Sequence, residues 1–374
     1  MSNSQSHHNQ FDKIRILAAL AVIFSHHFAL ANYPAPSWMT SPFLHWAMIG
    51  GVAVMTFLTI SGYLVTTSWL RNPQFLPFIW NRLLRIWPGL FVSVMLCVFF
   101  FGLIFTTLSA HDFLTSGTTK HFILSNLSLF QFSGQLPDVY TNLRCVNCMN
   151  GVYWTIPMEF MCYLVLGFLG LAGALRRKAI ANTIGVLYIA VFLIYFNSDF
   201  TGELRHWVEY PAYFVAGALI AINRDFFSRH GRMLLLVAIP IAITLYFFTP
   251  YKGSARFLLL PMLIIHVGRL PSSVNRFSHL GDPSYGIYLY GFPIAQSVLS
   301  MWPNLGFGGS LAVAFAFAIA AGYASWYFVE SHALRLKPLI LLRFKSPFTR
   351  TTCSSDVNGA DLTDRSPHSA PPVK

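Results

Sequence analysis

Runs of about twenty residues with scarcely a charge in them recur along the whole chain, and they decide what it can fold into. IRILAALAVIFSHHFAL near the N-terminus and GGVAVMTFLTISGYLVT at 50–66 are the first two. Crossing the ~30 Å hydrocarbon core of a bilayer takes about 20 helical residues. Charged residues make up only 10% of the 374, against roughly 25% in soluble domains. Lipid offers no partner to an open backbone group, so each run must close its own hydrogen bonds as a helix. The expected fold is all-α: a polytopic membrane protein.

Apolar segments fall at 14–31, 46–69, 89–108, 122–133, 152–174, 180–197, 207–222, 233–249, 256–270, 284–301 and 309–329. The segment 122–133 is short, and its Ser, Asn and Gln suit a partly buried or re-entrant piece. Setting it aside leaves ten transmembrane helices. With the N-terminus inside, only Lys120, Arg144, Arg205, Lys252 and Arg256 of the 25 Lys and Arg face outward. That bias predicts cytoplasmic N- and C-termini. It also assigns the net charge of +12 to cytoplasmic loops rather than to nucleic acid. The first run lacks a convincing cleavage site and reads as a retained span. Residues 1–345 then form the transmembrane domain. Residues 346–374, rich in Ser, Thr, Pro and Asp, form a cytoplasmic tail too polar to bury a core, hence expected to be disordered.

Arg15 and His26 stand 11 positions apart in the first span, within about 20° of three full turns, so they share a helix face. The rise of ~16 Å puts His26 near mid-membrane when Arg15 sits at the cytoplasmic edge. An ionisable group at that depth is a functional candidate. The plainer reading makes Arg15 a topology anchor and His26 a packing hydrogen bonder. His27, ~100° around the helix, reads as packing or a secondary polar residue. Arg82 and Arg85, in FIWNRLLRIWPGL, are neighbours on one helical face at the cytoplasmic surface. They read either as topology signals or as phosphate ligands, for which the guanidinium fork is well matched.

Acids are few. Glu159, in NGVYWTIPMEFMCYL, is placed about two turns below the outer surface and needs a partner or a proton. It reads as a proton acceptor or a sugar-hydroxyl ligand. Glu330, in SWYFVESHALRLK, reads as the structural partner of cytoplasmic arginines. Cys145 and Cys148 form a lone pair three apart, read as a local disulfide or free thiols before a metal site. Gly50-Gly51 and Ser61-Gly62 read as close helix packing. No P-loop, dinucleotide fingerprint or zinc-protease motif appears.

Taken in order, these segments resemble the acyltransferase-3 family of integral-membrane carbohydrate O-acyltransferases, in its form without an appended esterase-like domain. Arg15 and His26 match its first-span signature, GGVAVMTFLTISGYLVT its Gly-rich second span, and Arg82 with Arg85 its Arg-x-x-Arg segment. Trp154 and Glu159 match its Trp-containing run, SYGIYLYGFPI its late Ser-Tyr span, and Glu330 its terminal Glu. Where many relatives carry His before the Phe-Pro of the late span, this chain has Gly291.

The resemblance implies transfer of an acyl group, usually acetyl, to a hydroxyl of a cell-surface or lipid-linked carbohydrate. The donor would be acetyl-CoA or another acyl-CoA, no metal would be needed, and the location would be the inner (plasma) membrane. His26 would be the general base or acyl carrier, with Glu159 also catalytic. Arg15, Arg82 and Arg85 would hold the donor, and Trp154 and Tyr285 would contact substrate. The competing class is a glycan or lipid transporter, which ten spans and a buried His would also suit. It predicts duplicated halves with broken helices, and no internal duplication is visible. A purely structural membrane partner leaves the Arg15/His26 register unexplained.

Overall fold

The computed structural model describes residues 10–39, 48–196, 203–249, 251–271 and 281–337. Arg276, the side chains of Arg205 and Lys252, and the 346–374 segment lie outside this set. Every regular element among the described residues is helical. In chain order they are α1 (Phe11–Leu30), α2 (Met48–Arg71), α3 (Phe75–Leu96), α4 (Leu103–Phe105), α5 (Ala110–Thr115), α6 (Gly117–Ser128), α7 (Thr155–Leu171) and α8 (Lys178–Phe196). Then follow α9 (Glu203–Ile222), α10 (Arg224–Phe248), α11 (Lys252–Gly268), α12 (Ser284–Met301), α13 (Gly306–Ser325) and α14 (Ser331–Arg335). A π-turn at Cys97–Gly102 joins α3 to α4, and another at Trp326–Glu330 joins α13 to α14.

Among the described residues, five helical stretches are long and apolar enough to cross a membrane: α1, α2, Phe75–Phe105, α10 and Pro303–Arg335. Three shorter apolar helices accompany them, at Thr155–Leu171, Lys178–Ile194 and Gly253–Gly268. The protein is thus a polytopic membrane protein. Each of the ten segments read from the sequence falls on a helix. The segment at 122–133 belongs to α6, whose 12 residues are too few to span. The third segment corrects an expected boundary: its helix begins at Phe75, not at 89, and runs through Pro88. Its first turns carry Arg82 and Arg85 and are therefore less apolar, which hid them. Large side chains such as Phe248 and Phe328, 80% and 79% exposed, face where lipid would lie.

α2 is the central helix, packed on α1 and α9. At its crossing with α9, a Cβ on Gly62 would lie 2.0 Å from the Phe214 carbonyl oxygen, and one on Gly217 2.1 Å from that of Thr59. The two backbones touch, as small residues permit in membranes. α12 is nearly wrapped, with Ser284 and Gly286–Val298 all buried against α1 and α13. Between α6 and α7 the chain folds back on α12. Gln296 Nε2 donates to the carbonyls of Cys145 and Cys148, which form a disulfide, and Asn150 Nδ2 donates to Leu289 O.

A second interior connection escaped the sequence reading. Arg256, counted among the outward loop charges, is buried in the helix bundle. Its Nη2 donates to Glu209 Oε1 at 2.6 Å and its Nε to the Tyr213 hydroxyl at 3.2 Å. A buried arginine persists only when paired in this way.

Candidate active site

A cavity of about 300 Å³ opens where α1, α2, α3, α7, α12 and the α13–α14 junction converge. Five of the predicted site residues, Arg15, Arg82, Arg85, Glu159 and Tyr285, line it; His26 and Trp154 do not.

Asp282, just ahead of α12, organises the charged end. Its Oδ2 accepts from Arg85 Nη2 at 2.5 Å and from Arg15 Nη1 at 3.3 Å. Its Oδ1 accepts from the Ser284 backbone N–H and hydroxyl. Burial alone would raise the Asp282 carboxyl; Arg85, Arg15 and Ser284 outweigh burial and hold it below the usual carboxylate range. Arg85 continues the chain of charges, with Nη1 donating to Glu330 Oε2 at 3.3 Å and its guanidinium lying over the Trp326 ring. Glu330 also accepts from Ser325 Oγ, so its expected pairing with an arginine is present. The Tyr285 hydroxyl donates to Ile86 O, tying α12 to α3.

Deeper in, Glu159 Oε1 accepts from Ser61 Oγ at 2.7 Å and from the Tyr163 hydroxyl at 2.5 Å. Glu159 and Tyr163 are one helical turn apart on α7, while Ser61 comes from α2 beside the glycine crossing. The sequence places Glu159 about two turns below the outer surface; it lines the same cavity as the three arginines. Tyr288 and Phe57, whose rings lie 5.7 Å apart, line the wall with Thr155, which hydrogen-bonds the Tyr288 hydroxyl.

His26 stands beyond this lining, three turns along α1 from Arg15. Its ring meets Phe292 edge-on at 5.4 Å, and it makes no hydrogen bond within the described residues. His27 is the packing residue: fully buried, its Nε2 bonds Ser310 Oγ at 2.8 Å and its ring meets Phe307. Trp154 lies against His206 and Tyr210 of α9 rather than in the cavity. At Gly291 a Cβ would come 2.4 Å from Ile23 Cγ1, so α1 occupies the space a larger residue would need.

Asp282, Ser61, Tyr163 and Lys337 are the cavity residues that sequence reasoning missed. Asp282 had a usable signal, being one of only 13 acids and standing directly before an apolar helix. Ser61 and Tyr163 had none, since hydroxyls are common in membrane helices.

Comparison with known proteins adds the following. The family description "Acyltransferase domain" matches residues 8–330. A protein named O-acetyl transferase from Shigella phage Sf6 is 28% identical over 341 residues, covering 87% of this chain and 96% of that protein. Nodulation protein 10 from Rhizobium leguminosarum bv. viciae is 25% identical over 364 residues, covering 91% of this chain and 97% of its own. No solved structure matches the chain.

Proposed function

The chain belongs to the acyltransferase-3 family and is an acyltransferase of groups other than aminoacyl, and from that premise we propose that it O-acylates a glycan at the inner membrane. The donor is acyl-CoA, acetyl-CoA in the simplest case, entering from the cytoplasm. The acceptor is a hydroxyl of a cell-surface or lipid-linked carbohydrate. The observation that carries this reading is the cavity itself, where Arg15, Arg82 and Arg85 converge with Glu159.

The ends of the helices support a common cytoplasmic mouth. Arg15 near the start of α1, Arg85 in the first half of α3, Asp282 before α12 and Glu330 after α13 all meet in one network. That arrangement suits ten spans with both termini inside. A basic mouth suits the donor's phosphates. Its pantetheine arm is comparable in length to the ~16 Å rise from Arg15 to His26. At His26 the imidazole takes the proton of the sugar hydroxyl as its oxygen attacks the thioester carbonyl and the C–S bond breaks, or it carries the acyl group in between. Glu159 accepts a proton or orients the hydroxyl, Tyr285 bounds the donor channel, and Trp154 offers a face on which a sugar ring stacks.

Purified protein in proteoliposomes, given labelled acetyl-CoA and membrane glycan, is expected to yield acetylated glycan. A deletion strain whose glycan keeps every acetyl group by NMR, together with inert purified protein, would refute the reading.

A further inference from the structure

Four cations line the cavity, Arg15, Arg82, Arg85 and Lys337, and among the described residues acids form ion pairs with only two of them. Arg15 and Arg85 share Asp282, and Arg85 also holds Glu330. Arg82 has no ion pair among the described residues. Its Nε is buried without a hydrogen-bond partner, and its guanidinium lies over the Phe78 ring. Lys337, just past α14, likewise makes neither ion pair nor hydrogen bond among the described residues. The remaining acid in the lining, Glu159, is engaged by Ser61 and Tyr163.

We propose that Arg82 and Lys337 are the residues that bind the donor's phosphates, whereas Arg15 and Arg85 are positioning residues that Asp282 and Glu330 hold in place. This rests on acyl-CoA being the donor. A phosphate reaching Arg15 or Arg85 must compete with a buried carboxylate that already holds the guanidinium, a costly exchange. A phosphate reaching Arg82 or Lys337 satisfies a cation that is partly desolvated and has no ion pair among the described residues. The two also belong together: burial first, then repulsion from Arg82 and Arg85, pushes the Lys337 ammonium down to about 8. An anion between them relieves that repulsion. The planar Arg82 fork, steadied on Phe78, suits a phosphate oxygen pair, and Lys337 adds a point charge from the chain's cytoplasmic end.

The test compares acetyl-CoA with S-acetylpantetheine, which carries the same thioester and arm but no phosphate, on purified full-length protein in nanodiscs. Arg82→Gln and Lys337→Gln are each expected to raise KM for acetyl-CoA about tenfold, the loss of one charge-assisted contact. Both should leave kcat within about twofold, and KM for S-acetylpantetheine unchanged. Arg15→Gln should lower the melting temperature while raising KM less than about threefold. Unchanged acetyl-CoA KM in both phosphate variants, or an equal rise for the two donors, overturns the assignment. Should Arg82→Gln not accumulate, Lys337→Gln decides alone. If wild-type protein turns over neither donor, the proposed function falls and this assignment with it. If wild type is active and the variants are indifferent, only the assignment falls.

Discussion

The Asp282 carboxylate and the Arg85 guanidinium meet at 2.5 Å across 197 residues of sequence. The same oxygen takes Arg15, so one acid locks α1 and α3 to the start of α12. Asp282→Asn keeps the shape and removes the charge, taking the buried anion from Arg15 and leaving Arg85 with Glu330 alone of its two acids. Breaking a fully buried pair costs about 3–5 kcal/mol. Here the arginine side chains remain 21% and 25% exposed, so ~1–3 kcal/mol is expected. Thermal unfolding in detergent should show a lower midpoint; an unchanged midpoint would remove Asp282 from the framework.

His26 has no hydrogen bond to lose within the described residues, and its ring meets Phe292 edge-on. His26→Ala should therefore insert and fold normally. It should lose about 10²–10⁴-fold in acyl transfer, the range that a general base supplies. Single-turnover measurement with labelled acetyl-CoA reads this directly, and wild-type rates in a well-folded variant would exclude both roles given to the imidazole.

Glu159→Gln tests charge apart from shape, because the amide oxygen still accepts from Ser61 and Tyr163. A fall of about 10–100-fold in kcat with an intact melting curve is expected if the carboxylate takes a proton. Ser61→Ala should cost less, since Tyr163 still donates to the same oxygen.

Donor affinity should depend on pH through Lys337. A lysine is charged below its pKa, and this one lies at about 8 where an ordinary lysine lies near 10.5. As pH rises through about 8 the ammonium is lost, so KM for acetyl-CoA should climb there. Lys337→Arg, charged throughout, should flatten the profile between pH 7 and 9.5. A wild-type KM that stays level across that window would mean that Lys337 does not face the donor.

Gly291→His installs the residue that the family resemblance leads one to expect. Its Cβ would collide with Ile23, so the substitution should destabilise the α1–α12 contact by roughly 1–3 kcal/mol. No gain in transfer should accompany it. Melting temperature and specific activity measured together distinguish this from a missing catalytic group.

Much of the architecture was legible because lipid leaves the backbone few options: ten predicted segments fall on helices. That Arg15 and His26 stand on one continuous helix was legible as well. The partners were not. Asp282 is 267 residues from Arg15 in the chain, and no local pattern announces a contact of that range. Lys337 draws no reading from the sequence, and Arg256 reads as a loop charge, because burial is a tertiary property. The start of α3 was missed for a related reason, since Arg82 and Arg85 depress local hydropathy while facing a cavity rather than lipid.

The bare crossing of α2 and α9 also bears on chemistry. Gly62 is the residue next to Ser61, and at this point the helices have no side-chain cushion to compress or slide on. Ser61 is therefore surveyed from a fixed benchmark, and the hydroxyl that holds Glu159 inherits the tolerance of a backbone contact. A methyl group added at Gly217, on a helix that contributes nothing to the cavity wall, should then be felt as misalignment at the carboxylate. Accuracy at the reacting centre is set by how closely two helices can be pressed together within the bilayer.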